Sequence, residues 1–298
     1  MNFFKILDTL KRQDAALIFY ALLNRIPIIV CGKYSEDINN FLIELSELIH
    51  FRKEFVFYTD FISVSEYEDL IQNENIDYNS ERAHIRCPCS VSLKALNRFN
   101  RFYSWIIGIE LVQNVDSSFN IKKSLRKKMD AFLIINLNLD KNEVELEGIN
   151  LKEIDLSLEQ SFLQKISQDT EKSIAKMMRV LNEKTKIDDI DKDLMNTLLD
   201  FETEKKELKK NIIKSEMQKF FSASKRAFFI LSRLNLLRSV EINTKIGNKT
   251  LLETIDYEEA PLERIISFIN KEWNEDFFMV VENGKKINAL DSMQSMWG

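Results

Sequence analysis

Two segments, Ala16–Asp60 and Trp105–Leu146, constrain the fold most, because in both of them short apolar runs alternate with helix-like segments. Runs that are apolar on both faces and separated by amphipathic helices are typical of a mainly parallel sheet with helices on both faces. The sequence therefore predicts an α/β fold with such a central sheet. Its strands are expected at Ile26–Cys31, Phe55–Tyr58, His84–Cys87, Trp105–Leu111, 131–139 and Asn142–Glu147.

The pattern changes after residue 150. From Ser157 onward, apolar residues recur at helical spacing in two long stretches, which are joined by the charged connector Lys184–Lys192. We therefore expect an α/β domain over 1–150 and a mainly helical lobe over 151–298.

The end of the helical lobe has its own predicted elements. Glu241–Thr254 is expected to form a hairpin with Gly247-Asn248 as its turn, and Pro261–Trp273 a final helix.

Charge and hydropathy exclude several classes of partner. A net charge of −5 and a pI near 5.4 argue against nucleic acid, because phosphate binding requires a concentrated cationic surface. No apolar run approaches the ~18 residues of a membrane span, and Met1–Lys5 begins an amphipathic helix rather than a signal peptide. The odd number of cysteines, three, indicates reduced thiols. We therefore expect a cytoplasmic protein without an integral membrane segment.

Gly32-Lys33 directly follows an apolar strand, which raises the question of a phosphate-binding loop. That motif requires a glycine five residues before Gly32 and Ser or Thr directly after the lysine. This chain has Pro27 and Tyr34 at those positions. A tight turn between a strand and a helix is the favoured interpretation.

Cysteine and histidine offer no convincing metal or nucleophile site. Cys87 and Cys89 are separated by one proline, whereas tetrahedral zinc sites favour longer spacings. Nothing in the sequence places His50 or His84 beside a cysteine, so structural thiols are favoured. The sequence predicts no catalytic residue, no metal ligand and no cofactor.

Two charged stretches of the sequence can each be interpreted in two ways. Glu202–Lys210 carries Glu/Lys pairs at helical spacing and suits either an ordinary helix pair or a coiled-coil partner. Ser224–Phe229 places two cations beside two aromatic residues, which suits either a packed helix or contact with a partner. The basic run Lys122–Lys128 is favoured as a solvated helix face.

Three segments together resemble the central and downstream modules of the DENN family, regulators of Rab-type small GTPases. The order Ala21-Leu22-Leu23, Ile28-Ile29-Val30 and Leu45–Ile49 resembles the family's ALL-ERR-IIIVS…LLYPF block. Trp105–Ile109 is similar to P-[FY]-[IL]-[IV]-G-V, and Ile134–Asn138 with Lys141–Val144 is similar to IVDLD…N-V. The likeness spans most of residues 1–240, although the third quarter matches only in being helical.

The chain departs from the family pattern at several positions. Arg25-Ile26-Pro27 replaces Glu-Arg-Arg, His50-Phe51-Arg52 replaces YPF, and Asn136 and Asn138 replace two aspartates. The chain also begins at the central module, so the upstream longin-like lobe is expected from a separate subunit, unless this protein binds differently.

The resemblance implies a protein that binds a Rab-type small GTPase, as a guanine-nucleotide exchange factor or as a subunit of one. It implies a cytoplasmic protein that reaches membranes through its partner. The implied contact residues are Lys33, Tyr34 and Asp60 at the ends of strands and Lys225 and Arg226 in the helical lobe. The alternative is a non-catalytic scaffold or oligomerising protein with a degenerate α/β domain.

Overall fold

The structure is a computed structural model. It describes residues 3–60, 63–72, 82–111, 117–138, 142–184, 201–242 and 244–282. The chain divides into two compact units, residues 1–218 and 219–298. The predicted boundary at residue 150 was drawn from the end of the strand pattern and stays a prediction. Most of the predicted connector Lys184–Lys192 lies outside the described residues.

The described part of the first unit contains a six-stranded sheet with the strand order β2-β3-β4-β1-β5-β6. The first five strands run parallel and β6 pairs antiparallel to β5, so the predicted α/β fold class is confirmed. The strands are β1 (Ile28–Gly32), β2 (Lys53–Val56), β3 (Ala83–Cys87), β4 (Trp105–Glu110), β5 (Phe132–Leu137) and β6 (Glu143–Glu147).

The helices of the first unit mostly lie where apolar residues recur at helical spacing. They are α1 (Phe3–Thr9), α2 (Arg12–Leu23), α3 (Ser35–Ser46), α4 (Phe57–Asp60), α5 (Val64–Gln72), α6 (Ser92–Arg98), α7 (Ser117–Leu125) and α8 (Ser157–Lys184). In the described part of the chain, no helix is both long enough and apolar enough to span a bilayer.

Helix α3 packs on one face of the sheet, directly over β1 and β4. A Cβ atom placed on Gly108 would lie 2.8 Å from Cys89 Sγ and 3.0 Å from both Ile38 Cγ2 and Leu42 Cδ1. The bare backbone of Gly108 therefore allows α3 to approach β4 closely. Phe3 of α1 extends this layer, because its ring lies 5.4 Å from that of Phe41.

The opposite face carries a cluster that joins β1, β3, β4 and β5 to α4, α5, α6 and α7. At its centre the indole of Trp105 donates a hydrogen bond to the Tyr67 hydroxyl at 2.7 Å. That hydroxyl in turn donates to the Arg101 carbonyl at 2.8 Å, so the buried polar atoms are satisfied. Large buried members of the cluster are Phe57, Tyr67, Phe99, Phe102, Trp105, Leu125, Met129 and Phe132.

The long helix α9 (Phe201–Ser239) begins in the first unit. There its lysines pair with carboxylates on α1, on α3 and directly after α3. Lys206 Nζ lies 2.8 Å from Glu44, Lys209 Nζ lies 2.8 Å from Asp8, and Lys210 pairs with Glu47. The charged stretch 202–210 thus binds two helices that lie far away in the sequence. Of the two interpretations given above, this arrangement corresponds to packing within one chain.

The second unit contains the rest of α9 together with α10 (Asn248–Thr254) and α11 (Leu262–Trp273). Its core is aromatic: Phe220 lies 5.0 Å from Phe268, and Phe228 stacks on Trp273 at 5.0 Å between ring centroids. The predicted final helix at 261–273 is confirmed as α11.

The hairpin predicted for 241–254 is wrong. Ile246–Gly247 (β7) pairs in parallel with Val281–Glu282 (β8), and helix α10 begins directly afterwards at Asn248. The strand partner lies more than thirty residues downstream, and Gly247 precedes the first turn of a helix.

The predicted strand at 55–58 is shifted in the structure to Lys53–Val56, and Phe57–Asp60 forms the short helix α4. The backbone N–H of Val56 donates to Asp60 Oδ2 at 2.8 Å. This local hydrogen bond replaces a backbone hydrogen bond to a neighbouring strand. Asp side chains commonly compete with regular secondary structure in this way.

The close approach of α3 to β4 gives a stability prediction. We expect Gly108→Ala to lower the free energy of unfolding by about 1–3 kcal/mol, because the added methyl group overpacks the contact with Cys89 and Ile38. Urea denaturation measures the change. Leu93→Ala on α6 is the control, since Leu93 is 71% exposed and its truncation should have little effect. Equal stability of Gly108→Ala and the native chain would contradict this packing.

Candidate functional site

The strand order places the carboxyl ends of β1 and β4 side by side at one edge of the sheet. These strands are neighbours, yet the chain leaves β1 into α3 on one face of the sheet and leaves β4 toward α7 on the other. In open α/β sheets, ligands and partners bind where the connections of two adjacent strands diverge in this way. The carboxyl edge between β1 and β4 is therefore the candidate site.

Three exposed side chains, Lys33, Tyr34 and Glu110, lie at this edge. Tyr34 is 49% exposed, and Lys33 Nζ lies 5.3 Å from the centroid of its ring. Glu110 pairs with Gly32 in the register of the two strands, and the N–H of Leu111 donates to the Gly32 carbonyl at 2.7 Å. The edge thus combines an aromatic ring, a cation and a carboxylate at two adjacent strand ends.

The start of α3 disfavours phosphate at this edge. Glu36 and Asp37 lie in its first turn, where carboxylates stabilise the positive end of the helix dipole. A phosphate bound at the same amides would be repelled by these two negative charges. This arrangement agrees with the interpretation of Gly32-Lys33 as an ordinary turn.

The cysteines near the site are free thiols, as predicted. Burial raises the pKa of Cys31 to about 12, and burial together with Glu110 raises the pKa of Cys89 to about 11. Both thiols are therefore protonated at neutral pH, which makes them poor nucleophiles and poor metal ligands. The described residues contain no group of three or more His, Cys, Asp or Glu side chains that could hold a metal ion.

Asp60 is at the same edge of the sheet as Tyr34 but is not adjacent to it. Asp60 follows β2, and two strands, β3 and β4, lie between β2 and β1. Its carboxylate is occupied by the Val56 N–H and also accepts a hydrogen bond from the Thr59 hydroxyl at 3.2 Å. Asp60 therefore has a structural role at the start of α4, and its contact with a partner stays a prediction.

Lys225 and Arg226 belong to the second unit. Arg226 is exposed, yet its Nε donates to the Ile255 carbonyl at 2.9 Å and a terminal guanidinium nitrogen donates to the same oxygen. Because Ile255 follows the last turn of α10, the guanidinium closes the end of that helix. Lys225 is half-buried, and the role of both residues in partner binding stays a prediction.

Sequence analysis did not identify Glu110 as a site residue. The available signal was its position directly after the apolar run Trp105–Ile109, where a lone carboxylate marks the end of a strand. Which neighbour it would meet depends on the strand order, and the sequence pattern does not give that order.

A second polar cluster, Ser46, Glu54, His84 and Arg86, contains the residue types of a nucleophilic triad. Ser46 Oγ lies 2.6 Å from His84 Nε2 and donates to Glu54 Oε1 at 2.5 Å. In a working triad the serine and the carboxylate bind opposite nitrogens of the imidazole. Here both approach Nε2, and Nδ1 has no hydrogen-bond partner among the described residues. Ser46 and His84 are also buried, so the cluster is structural.

A polar groove of about 720 Å³ lies between α1, α3 and the first part of α9. Its walls include Lys206 and Lys210, which pair with Glu44 and Glu47. These ion pairs balance positive against negative charge in the groove. The groove therefore has no excess charge of one sign that would attract a charged ligand.

No protein-family model, curated protein or solved structure matches this chain. The likeness to DENN proteins therefore rests on the three sequence segments given above and stays a prediction.

The buried histidine gives a pH prediction. Burial lowers the pKa of His84, so the unfolded chain takes up a proton before the folded chain does as the pH falls below about 6.5. We expect the free energy of unfolding to decrease between pH 7 and pH 5, and His84→Gln to flatten that decrease. Urea denaturation at several pH values measures it. The comparison is His50→Gln, at the chain's other histidine. Burial and the charge of Lys214 also lower the pKa of His50, but this side chain is more exposed, so we expect His50→Gln to flatten the decrease less than His84→Gln does. If His84→Gln leaves the dependence of the unfolding free energy on pH unchanged, the assignment of that dependence to His84 is contradicted.

The Arg226 contact gives a second prediction. We expect Arg226→Ala to lower the free energy of unfolding by about 1 kcal/mol, because the Ile255 carbonyl loses its hydrogen bonds to the guanidinium. Lys225→Ala removes the neighbouring cation and serves as the matched control, with little expected effect. Chemical denaturation followed by tryptophan fluorescence suits the test, since Trp273 lies in the same unit. The contact is contradicted if the two variants are equally stable.

Proposed function

We propose that this chain is a DENN-like regulator that binds a Rab-type small GTPase at the carboxyl edge between β1 and β4. Two observations support the proposal. The order of elements, an α/β sheet followed by long helices, agrees with the family likeness of the sequence. The exposed pair Lys33–Tyr34 lies where the connections of two adjacent strands diverge, and it is the observation that carries the proposal.

The chemistry of this edge suits a protein surface better than a nucleotide. Tyrosine and cationic side chains are frequent at the energetic centre of protein interfaces, because they combine a rigid apolar ring with polar contacts. Glu36 and Asp37 at the start of α3 disfavour the binding of a phosphate group by this chain itself. The GTPase would supply the nucleotide, and this chain would supply the docking surface.

Nucleotide exchange by this route requires no acid, base or nucleophile. A protein that binds the nucleotide-free GTPase more tightly than the GDP-bound form promotes GDP release, because each ligand weakens the binding of the other by the same factor. Coupling energies of about 1–3 kcal/mol correspond to changes in affinity of roughly 5- to 150-fold. A separate longin-domain subunit would complete the assembly, as the family likeness implies.

The proposal predicts binding that depends on the nucleotide state. The purified chain is immobilised and exposed to a panel of Rab-type GTPases, each loaded with GDP or stripped of nucleotide with EDTA. We expect retention of at least one nucleotide-free GTPase, with weaker retention of its GDP-bound form. We expect Tyr34→Ala to weaken that binding at least tenfold, since aromatic residues at interface centres commonly contribute 2 kcal/mol or more.

Tyr103→Ala is the matched control for Tyr34→Ala. Tyr103 is 52% exposed, close to the 49% of Tyr34, but it precedes β4 and so lies toward the opposite edge of the sheet. Binding should survive that change. Failure of every GTPase to bind in either state would refute the proposal. Self-association of the chain without any GTPase, seen by light scattering, would then favour the scaffold alternative.

A further inference from the structure

The charge of α9 changes along its length. Its first part, residues 201–218, mixes lysines with glutamates. From Lys219 to Val240 the sequence contains five cations and no carboxylate, and Glu241 is the first acidic residue after that stretch. The cations are Lys219, Lys225, Arg226, Arg233 and Arg238. This half of the helix is therefore uniformly basic in a chain whose net charge is negative.

Arg226, Phe229, Arg233 and Leu236 lie on one face of this helix, and Val240 is in the turn directly after the helix ends at Ser239. We call these five residues the basic stripe. They are spaced by three or four residues, so they follow one another along the helix surface. All five are exposed; Leu236 is 67% and Val240 is 61% exposed. Large apolar side chains that project this far, alternating with arginines, form an amphipathic surface facing outward.

We propose that the basic stripe binds the surface of a membrane that contains anionic lipids. Phe229, Leu236 and Val240 would enter the boundary between headgroups and acyl chains, and Arg233 would lie at the level of the lipid phosphates. Arg226, whose guanidinium is bound to the Ile255 carbonyl, would contribute its positive charge. Buried apolar area and attraction between cations and anionic lipids both strengthen binding at a membrane interface, and the stripe offers both. The proposal concerns direct contact with lipid and is independent of GTPase binding.

Two other occupants fit the stripe less well. A second copy of this chain would bring an equally basic face against the first, and like charges at that distance repel. An acidic helix of another protein would satisfy the charge, but a stable protein interface also needs matching shape. The stripe is the outer face of one helix with its apolar side chains projecting, and a fluid lipid surface adapts to such a shape.

Vesicle co-sedimentation of the purified full chain, without any GTPase, tests the proposal. The vesicles are pure phosphatidylcholine and a mixture of phosphatidylcholine with 30% phosphatidylserine, at low millimolar lipid. We expect binding to the anionic vesicles and much weaker binding to the neutral ones. Since each cation near such a surface contributes about 1 kcal/mol, Arg233→Gln should weaken binding about fivefold. The double variant Leu236→Glu/Val240→Glu should abolish it.

Leu93→Glu is the matched control for the double variant. Leu93 is 71% exposed on α6 in the first unit, so it receives a comparable apolar-to-acidic change away from the stripe. Its binding should equal that of the native chain. Circular dichroism checks that each variant is folded. If the double variant is unfolded, the vesicle binding of the milder variant Arg233→Gln tests the proposal instead.

Absence of binding to anionic vesicles would overturn the proposal, as would equal binding to neutral and anionic vesicles. Binding to polyglutamate without binding to vesicles would also overturn it and would assign the stripe to an acidic protein. Loss of vesicle binding in Leu93→Glu equal to that in the double variant would show that the stripe is not the surface involved.

Discussion

The close contact of α3 with β1 and β4 is the interaction on which the rest of the first unit depends. Gly108 leaves room for Ile38 and Leu42 to lie directly against the strand, and Cys89 closes the same space from the β3 side. The N–H of Cys89 donates to Asn39 Oδ1 at 3.1 Å, so α3 is also held by a specific hydrogen bond. This packing fixes where α3 begins, and hence where Lys33 and Tyr34 lie.

That contact also determines the electrostatics of the site. Because α3 begins at the carboxyl edge, its first turn brings Glu36 and Asp37 to that edge. The carboxylates stabilise the helix end and disfavour a phosphate there. Lys33 and the ring of Tyr34 remain exposed at the strand ends. The same edge that holds phosphate in nucleotide-binding sheets is chemically different here.

The sequence predicted the strands of the sheet well because β1, β4 and β5 are short, mostly apolar runs rich in Ile. It placed β2 too late, since Asp60 draws the backbone of Val56 into a local turn. It mistook β7 for half of a hairpin, because the partner strand at Val281 is remote in the sequence. Lys33 and Tyr34 were named as contact residues from the family likeness, and their role in binding a partner stays a prediction. Glu110 was not identified, since its approach to Gly32 depends on a strand order that local patterns do not encode.

Hydrogen–deuterium exchange of the chain, alone and with a nucleotide-free Rab-type GTPase, tests the central claim most directly, because it maps where the partner lies. We predict slower exchange in the amides of Gly32–Asp37 and Glu110–Leu111 on binding, with little change at the amino ends of the same strands. Slower exchange elsewhere, with these two segments unchanged, would contradict docking at the edge between β1 and β4.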